Sequence, residues 1–272
     1  MQTMDIVDTH IHVFNSLLPL APERRYAPSY DATMADYFRR GRAAGITRAV
    51  LVQPSFLGCD NSFMCAELQK HPGALRGIAA IPPDIAPDTL ADLRRTGVVG
   101  IRLNLDGLPL PCFHQPQWRS LLAQLARHDM LVEVHRDARD LRELIPPLLD
   151  AGLRVVVDHF GRPDDALGCE DTGFRYLLSQ AASRRVWVKL AAGYRNGWSD
   201  PAAAAAVEAG ALLLEHFGAD RLVWGSDWPH TRHEESNDIP GTLAALGAWV
   251  PSAEQRHTIL GASAMQLFGF ES

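Results

Sequence analysis

In VDTHIHVF, residues 7–14, two imidazoles stand two positions apart within a β-branched run, His10 and His12. Alternation along a strand places Thr9 and Ile11 on one face and Asp8, His10 and His12 on the other, so the two imidazoles are neighbours. Such a pair can bind a divalent cation, join a hydrogen-bonded polar cluster, or be an accident of the surface. A third imidazole, His159 in VDHFGRPD, and a carboxylate, Asp227 in WGSDWPH, sharpen the question. These four could hold one metal ion, zinc or manganese, that activates water. Asp227 could equally act on water directly as a general base. Its other reading, as a helix cap, is weak because the next helix signal comes near Pro240.

Cationic residues recur beside these groups. Arg102 in GIRLN sits among strand apolars, and a buried guanidinium needs a partner that a carboxylate-bearing ligand would supply bidentately. Arg195, just past VKLAAGY, reads as a second arm of such a clamp or as a solvated loop arginine. Arg162 could pair with Asp164 or Asp165 at the surface, a contact of little energetic value. Lys189 in VWVKLA is either a Schiff-base lysine or an ion-paired core lysine, and the second is preferred. A side-chain nucleophile has little support: Ser55 lacks a GxSxG setting, and no cysteine has a histidine near it in a recognisable motif. Activated water is the economical nucleophile.

The elements that must gather these residues repeat along the chain. Short β-branched runs (DIVDTHIHV, AVLVQPS, LRGIAAIPP, VVGIRLNL, LVEVHRD, RVVVDHFG, VWVKLAA and RLVWGSDWP) alternate with helical patterns, giving about eight strands. Trp118, Leu121, Leu122 and Leu125 fall at i, i+3, i+4 and i+7, an amphipathic helix. Gly45, Gly97 and Gly152 stand where helices would end. The alanine run 202–206 follows SDP, a helix-start signal. No GxGxxG follows the first strand, so a dinucleotide-binding sheet is disfavoured. The expectation is an α/β fold: one (β/α)8 TIM barrel over residues 1–272, with no linker dividing it. In such barrels the strand C-termini form the active site. That face would gather His10, His12, Gln53, Ser55, Arg102, Asn104, His135, His159, Arg162, Lys189, Tyr194, Arg195, Asp227 and His230.

The totals agree with a globular enzyme. The 272 residues are 47% hydrophobic and 21% charged, and the net charge of -6 argues against nucleic acid or an anionic membrane as partner. Cys59, Cys65, Cys112 and Cys169 form neither a CxxC pair nor metal-ligand spacing and read as thiols of a reducing compartment, hence a cytoplasmic address. Neither a leader-type start nor a membrane-length apolar run is expected. Oligomeric state is left open.

DTHIHVF, RYAPSYDA, VLVQPSFLG, GVVGIRLN, VDHFGRPD and WGSDWPH, in this order, resemble the amidohydrolase superfamily. Within it the chain is most similar to the 2-pyrone-4,6-dicarboxylate hydrolases and the related sugar-lactone and muconolactone hydrolases. The resemblance implies that Asp227 takes a proton from water that attacks a lactone carbonyl. It further implies that His10, His12 and His159 polarise that carbonyl or steady the oxyanion. Arg102, Arg162 and Arg195 would hold substrate carboxylates, with help from Tyr26 and Ser55. No cofactor is expected in the dicarboxylate branch, whereas other branches use one or two divalent metals, and a metal-dependent decarboxylase is the alternative activity. Two positions depart from the branch. LNLDGLPLP has Asp106 where a second arginine is expected nearby, and His135 stands in place of a tyrosine. The segment 15–32 is expected to lie over the site as a lid.

Overall fold

The computed structural model describes residues 5–271. Eight parallel strands follow one another in sheet order: β1 (Ile6–Ile11), β2 (Ile46–Val52), β3 (Leu75–Ala79), β4 (Val98–Asn104), β5 (Leu131–His135), β6 (Val155–Val157), β7 (Val186–Ala191) and β8 (Leu222–Gly225). Helices separate them: α1 (Met34–Ala43), α2 (Ser62–Lys70), α3 (Pro87–Arg95), α4 (Pro116–Arg127), α5 (Leu141–Asp150), α6 (Thr172–Ser179) and α7 (Ala204–Phe217), with α8 (Ile239–Trp249), α9 (Ala253–His257) and α10 (Ser263–Phe268) after β8. This is the expected (β/α)8 barrel. Helix α4 buries Leu121, Leu122 and Leu125 as their spacing requires. Gly45, Gly97 and Gly152 take φ of 81°, 102° and 82°, the left-handed region that closes α1, α3 and α5. The alanine run enters α7 only at Ala204, because Asp200 and Pro201 first form a turn.

Backbone hydrogen bonds join the last strand to the first. The amide of Asp227 donates to the carbonyl of His10 (2.9 Å) and that of His12 to the carbonyl of Trp228 (2.8 Å). A Cβ on Gly225 would lie 2.6 Å from Cβ of His10, so only glycine allows β8 this close to β1.

Every strand contributes to a buried apolar layer: Val7, Val50 and Val52, Ile78, Val99, Leu131, Val156, Trp187 and Val223, closed below by Ala264, Leu267, Phe268 and Phe270. Two positions further along, on the same face, come Glu133, Asp158 and Lys189, all buried. Alternation therefore builds a charged layer directly above the apolar one. Strand β1 breaks this pattern. Its pairing with β2 is irregular between Asp8 and Ile11, and Asp8 accepts from Tyr37 Oη of α1 (3.0 Å) and from the amide of Ser226 (2.8 Å). Asp8 thus faces the helices, not the side shared by His10 and His12, and its burial pushes its carboxyl up to about 6.

Candidate active site

The charged layer is internally matched. Lys189 Nζ lies 2.6 Å from Glu133 Oε2 and 3.2 Å from Asp158 Oδ1, which supports the ion-paired core reading over a Schiff base. Arg102 donates from Nε (3.1 Å) and Nη2 (2.8 Å) to Asp158 Oδ2. The partner expected from a ligand is thus a carboxylate of the chain itself. Nη1 of Arg102 makes no hydrogen bond among the described residues and belongs to a guanidinium that lines the cleft.

Hydrogen-bond partners assign the protons of the four imidazoles. Lys189 Nζ sits 3.0 Å from His10 Nδ1, and an ammonium can only donate, so the proton of His10 is on Nε2. That nitrogen faces His12 Nε2 at 3.3 Å. His12 Nδ1 lies 2.7 Å from the carbonyl of Val52, which can only accept, so His12 Nε2 bears the lone pair. His159 Nδ1 likewise meets the carbonyl of Ala191 (3.3 Å). His135 accepts from Arg162 Nη1 at Nε2 (3.3 Å) and donates from Nδ1 to Asn104 Oδ1 (3.0 Å). Burial lowers the basicity of all four rings, His12 to about 4 and His159 to about 3. As neutral rings, His12 spends its Nε2 lone pair on the proton of His10, and His159, its Nδ1 proton given to Ala191, bears its lone pair on Nε2.

Asp227 has φ of 62°, and His159, Arg162 and Ala192 also lie in the left-handed region at 50°, 51° and 51°. Non-glycine residues rarely hold this conformation, and here several cluster at the strand ends. Asp227 Oδ2 accepts from Arg195 Nε (2.8 Å) and Tyr194 Oη (2.6 Å), with Arg195 Nη2 at 2.7 Å. Its Oδ1 lies 3.6 Å from His10 Nε2 and 3.8 Å from His12 Nε2. Burial raises the Asp227 carboxyl, but Arg195 and the surrounding imidazoles outweigh it and hold the group well below the usual carboxylate range. Arg195 is therefore no solvated loop residue. Helix α8 has Asp238 as its cap, as the sequence anticipates in not assigning that task to Asp227.

A cleft of about 100 Å³ opens above these groups. Lining it are His12, His135, His159, Arg102, Arg162, Arg195 and Asp227, joined by Tyr26 and Ser55. His10 is fully buried beneath, where it touches the groups that line the cleft instead of facing it. Arg162 pairs with Asp137 (3.1 Å), not with Asp164 or Asp165. Arg25 and Arg232 also line the cleft, and sequence reasoning missed both because they lie in loops without periodicity. Glu133 and Asp158 were missed as well, although a charge inside LVEVH, opposite in sign to that inside VWVKLA, is a readable signal. The segment 15–32 borders the cleft through Arg25 and Tyr26; Phe14 pairs with Ala32, Tyr26 packs edge-on against Phe56, and Tyr30 Oη donates to Glu234 (2.6 Å). Roomier clefts of about 530 and 720 Å³ flank Glu234, Glu235 and Asp238, but neither is lined by Asp227 or the paired histidines. The site lies where the titratable groups converge.

Residues 7–270 match the amidohydrolase family. The chain belongs to that family. Among its relatives is the 4-sulfomuconolactone hydrolase of Hydrogenophaga intermedia, 29% identical over 96% of this chain and 88% of the relative. Another is the 2-pyrone-4,6-dicarboxylate hydrolase of Comamonas testosteroni, 30% identical over 96% and 89%. A crystal structure from Pseudomonas putida, provisionally named a 2-pyrone-4,6-dicarboxylic acid hydrolase, covers all of both chains at 43% identity with a TM-score of 0.92. The amidohydrolase is thus an enzyme whose relatives hydrolyse lactones, in agreement with the resemblance carried by its strand-end motifs.

Amidohydrolases often use a metal, and two groups here have ligand atoms close enough for one: His10, His12 and Asp227, and His10, Asp158 and His159. Both depend on His10. Its Nδ1 is taken by Lys189, and its Nε2 carries the proton that faces His12. An ion on either nitrogen would displace one of these contacts, so the donor set as hydrogen-bonded does not fit a metal. Among the described residues no helix is long and apolar enough to cross a membrane.

Proposed function

We propose that this amidohydrolase opens a small anionic lactone by water attack, with Asp227 as the base and no metal in the step. The observation that carries this reading is the division of labour at Asp227. Its Oδ2 is tied to Arg195 and Tyr194, whereas its Oδ1 makes no hydrogen bond among the described residues and belongs to a carboxylate that lines the cleft. A water donating to Asp227 Oδ1 is oriented for attack. Its oxygen bonds to the carbonyl carbon while a proton passes to Asp227. The oxyanion collects beside Arg102, whose Nη1 is the unengaged cationic donor, and the ring C–O bond then breaks. The leaving oxygen takes the proton back from Asp227, leaving an open-chain carboxylic acid that ionises by releasing its own proton to solvent. A substrate carboxylate drawn to Arg195 shares that guanidinium with Asp227 and so restores basicity in the complex.

Asp227→Asn keeps the shape and removes the base. Tested on a panel of pyrone carboxylates, muconolactones and sugar lactones, it should lose at least ~10²-fold in kcat on whichever lactone the native protein opens. Equal turnover by the variant would overturn the assignment.

A further inference from the structure

Four of the five arginines that line the cleft are matched, each to a carboxylate of the chain. Arg102 meets Asp158 (2.8 Å), Arg162 meets Asp137 (3.1 Å) and Arg195 meets Asp227 (2.7 Å). Arg25, from the segment 15–32, lies 2.5 Å from Asp106 Oδ2, and it also donates to the carbonyl of Asp106 (2.6 Å) and to Asn104 Oδ1 (3.2 Å). Arg232 has no ion-pair partner among the described residues. Asp106 differs from the other carboxylates in combining a place in the cleft wall with 39% exposure, where Asp227 is 1% exposed, and it reaches toward a second guanidinium, Arg162 Nη2, at 4.0 Å. It therefore holds, as part of the protein, a place between two cations that a ligand carboxylate could otherwise take.

We propose that Asp106 is a built-in anion that restricts this site to lactones bearing one acidic group. The proposal rests on the lactone reading above and refines its substrate class. Counted this way the cleft keeps one surplus positive charge, which a single ligand anion reaching Arg195 and Arg232 balances. A second ligand carboxylate would have to displace Asp106 from Arg25 or lie against it, and like charges at that range repel strongly in a partly enclosed cleft. Neutral hydroxyl or carbonyl substituents meet no such barrier.

The test compares 2-pyrone-6-carboxylate with 2-pyrone-4,6-dicarboxylate in the native protein, in Asp106→Asn and in Arg25→Met. The native protein should favour the monocarboxylate at least tenfold in kcat/KM. Asp106→Asn removes the fixed anion and keeps its shape, so it should shift the ratio at least tenfold toward the dicarboxylate, chiefly through KM. Arg25→Met leaves Asp106 without its counter-ion and should shift the ratio the other way. A native preference for the dicarboxylate, or a ratio unmoved in Asp106→Asn, overturns the proposal.

Calorimetric binding of benzoate and isophthalate separates this failure from failure of the lactone reading, since neither compound can be hydrolysed. Tighter binding of benzoate by the native protein, with the order reversed in Asp106→Asn, supports the single-anion site even if no pyrone is opened. Isophthalate bound as tightly as benzoate, or neither bound at all, counts against it.

Discussion

Lys189 Nζ lies 3.0 Å from Nδ1 of His10, and this contact beneath the cleft decides which nitrogen of His10 carries its proton. The consequence passes upward to His12, whose Nε2 accepts that proton 3.8 Å from Asp227 Oδ1. The proton of His10 is thus set by a residue that the cleft does not expose.

Removing Lys189 should be costly because it leaves Glu133 buried without its nearest cation. Lys189→Met is expected to lose about 3–5 kcal/mol of stability by urea unfolding. Adding Glu133→Gln removes the stranded charge and should recover part of that loss. A single variant as stable as the native protein would contradict the pairing.

Arg195 is the leading cause that holds the Asp227 carboxyl well below its usual range. Neutralising it in Arg195→Gln should raise the pKa of Asp227, so that activity is lost at a higher pH on the acid side. The expected shift of the acid limb of kcat is at least about one pH unit, alongside a raised KM for anionic lactones. An acid limb that does not move would dissociate Arg195 from the base.

Stability should fall as the solution is acidified from neutral toward pH 4.5. Burial lowers His12 from 6.5 to about 4 and His159 from 6.5 to about 3, with His10 and His135 lowered too, so the unfolded chain binds these protons first. That stability is full above the unfolded value of 6.5 and is lost as pH falls toward the folded values. Asp8, raised to about 6, and Glu133, raised to about 7, act in the opposite sense across the same window. Four imidazoles outnumber these two carboxyls, so the net slope is positive with pH. Each proton contributes about 1.4 kcal/mol per pH unit. Urea midpoints between pH 7 and pH 5 should therefore drop, and His12→Gln should flatten the slope by about one proton. Midpoints that stay level or rise on acidification would contradict neutral buried rings.

The barrel was legible because strand and helix periods alternate eight times, and β-branched runs have few other uses. The paired histidines and Asp227 were legible because they end strands, where barrel geometry gives an address. The exact facing of Asp8 was not, since a pairing irregularity in β1 breaks the alternation that a sequence reader must assume. Nor were the partners of the arginines. Arg102 finds Asp158 56 positions away, and Arg25 reaches Asp106 from a loop whose path follows tertiary packing. Charge pairs of this kind leave no period in the sequence.

The central claim is that Asp227 opens a lactone without a metal, and chelation tests it most directly. Purified protein stripped with a strong chelator, and shown by elemental analysis to hold far less than one metal ion per chain, should still acidify an indicator solution with its best lactone at the native rate. Activity that vanishes on stripping and returns with zinc or manganese would instead make His10 and His12 ligands, against the proton arrangement fixed by Lys189.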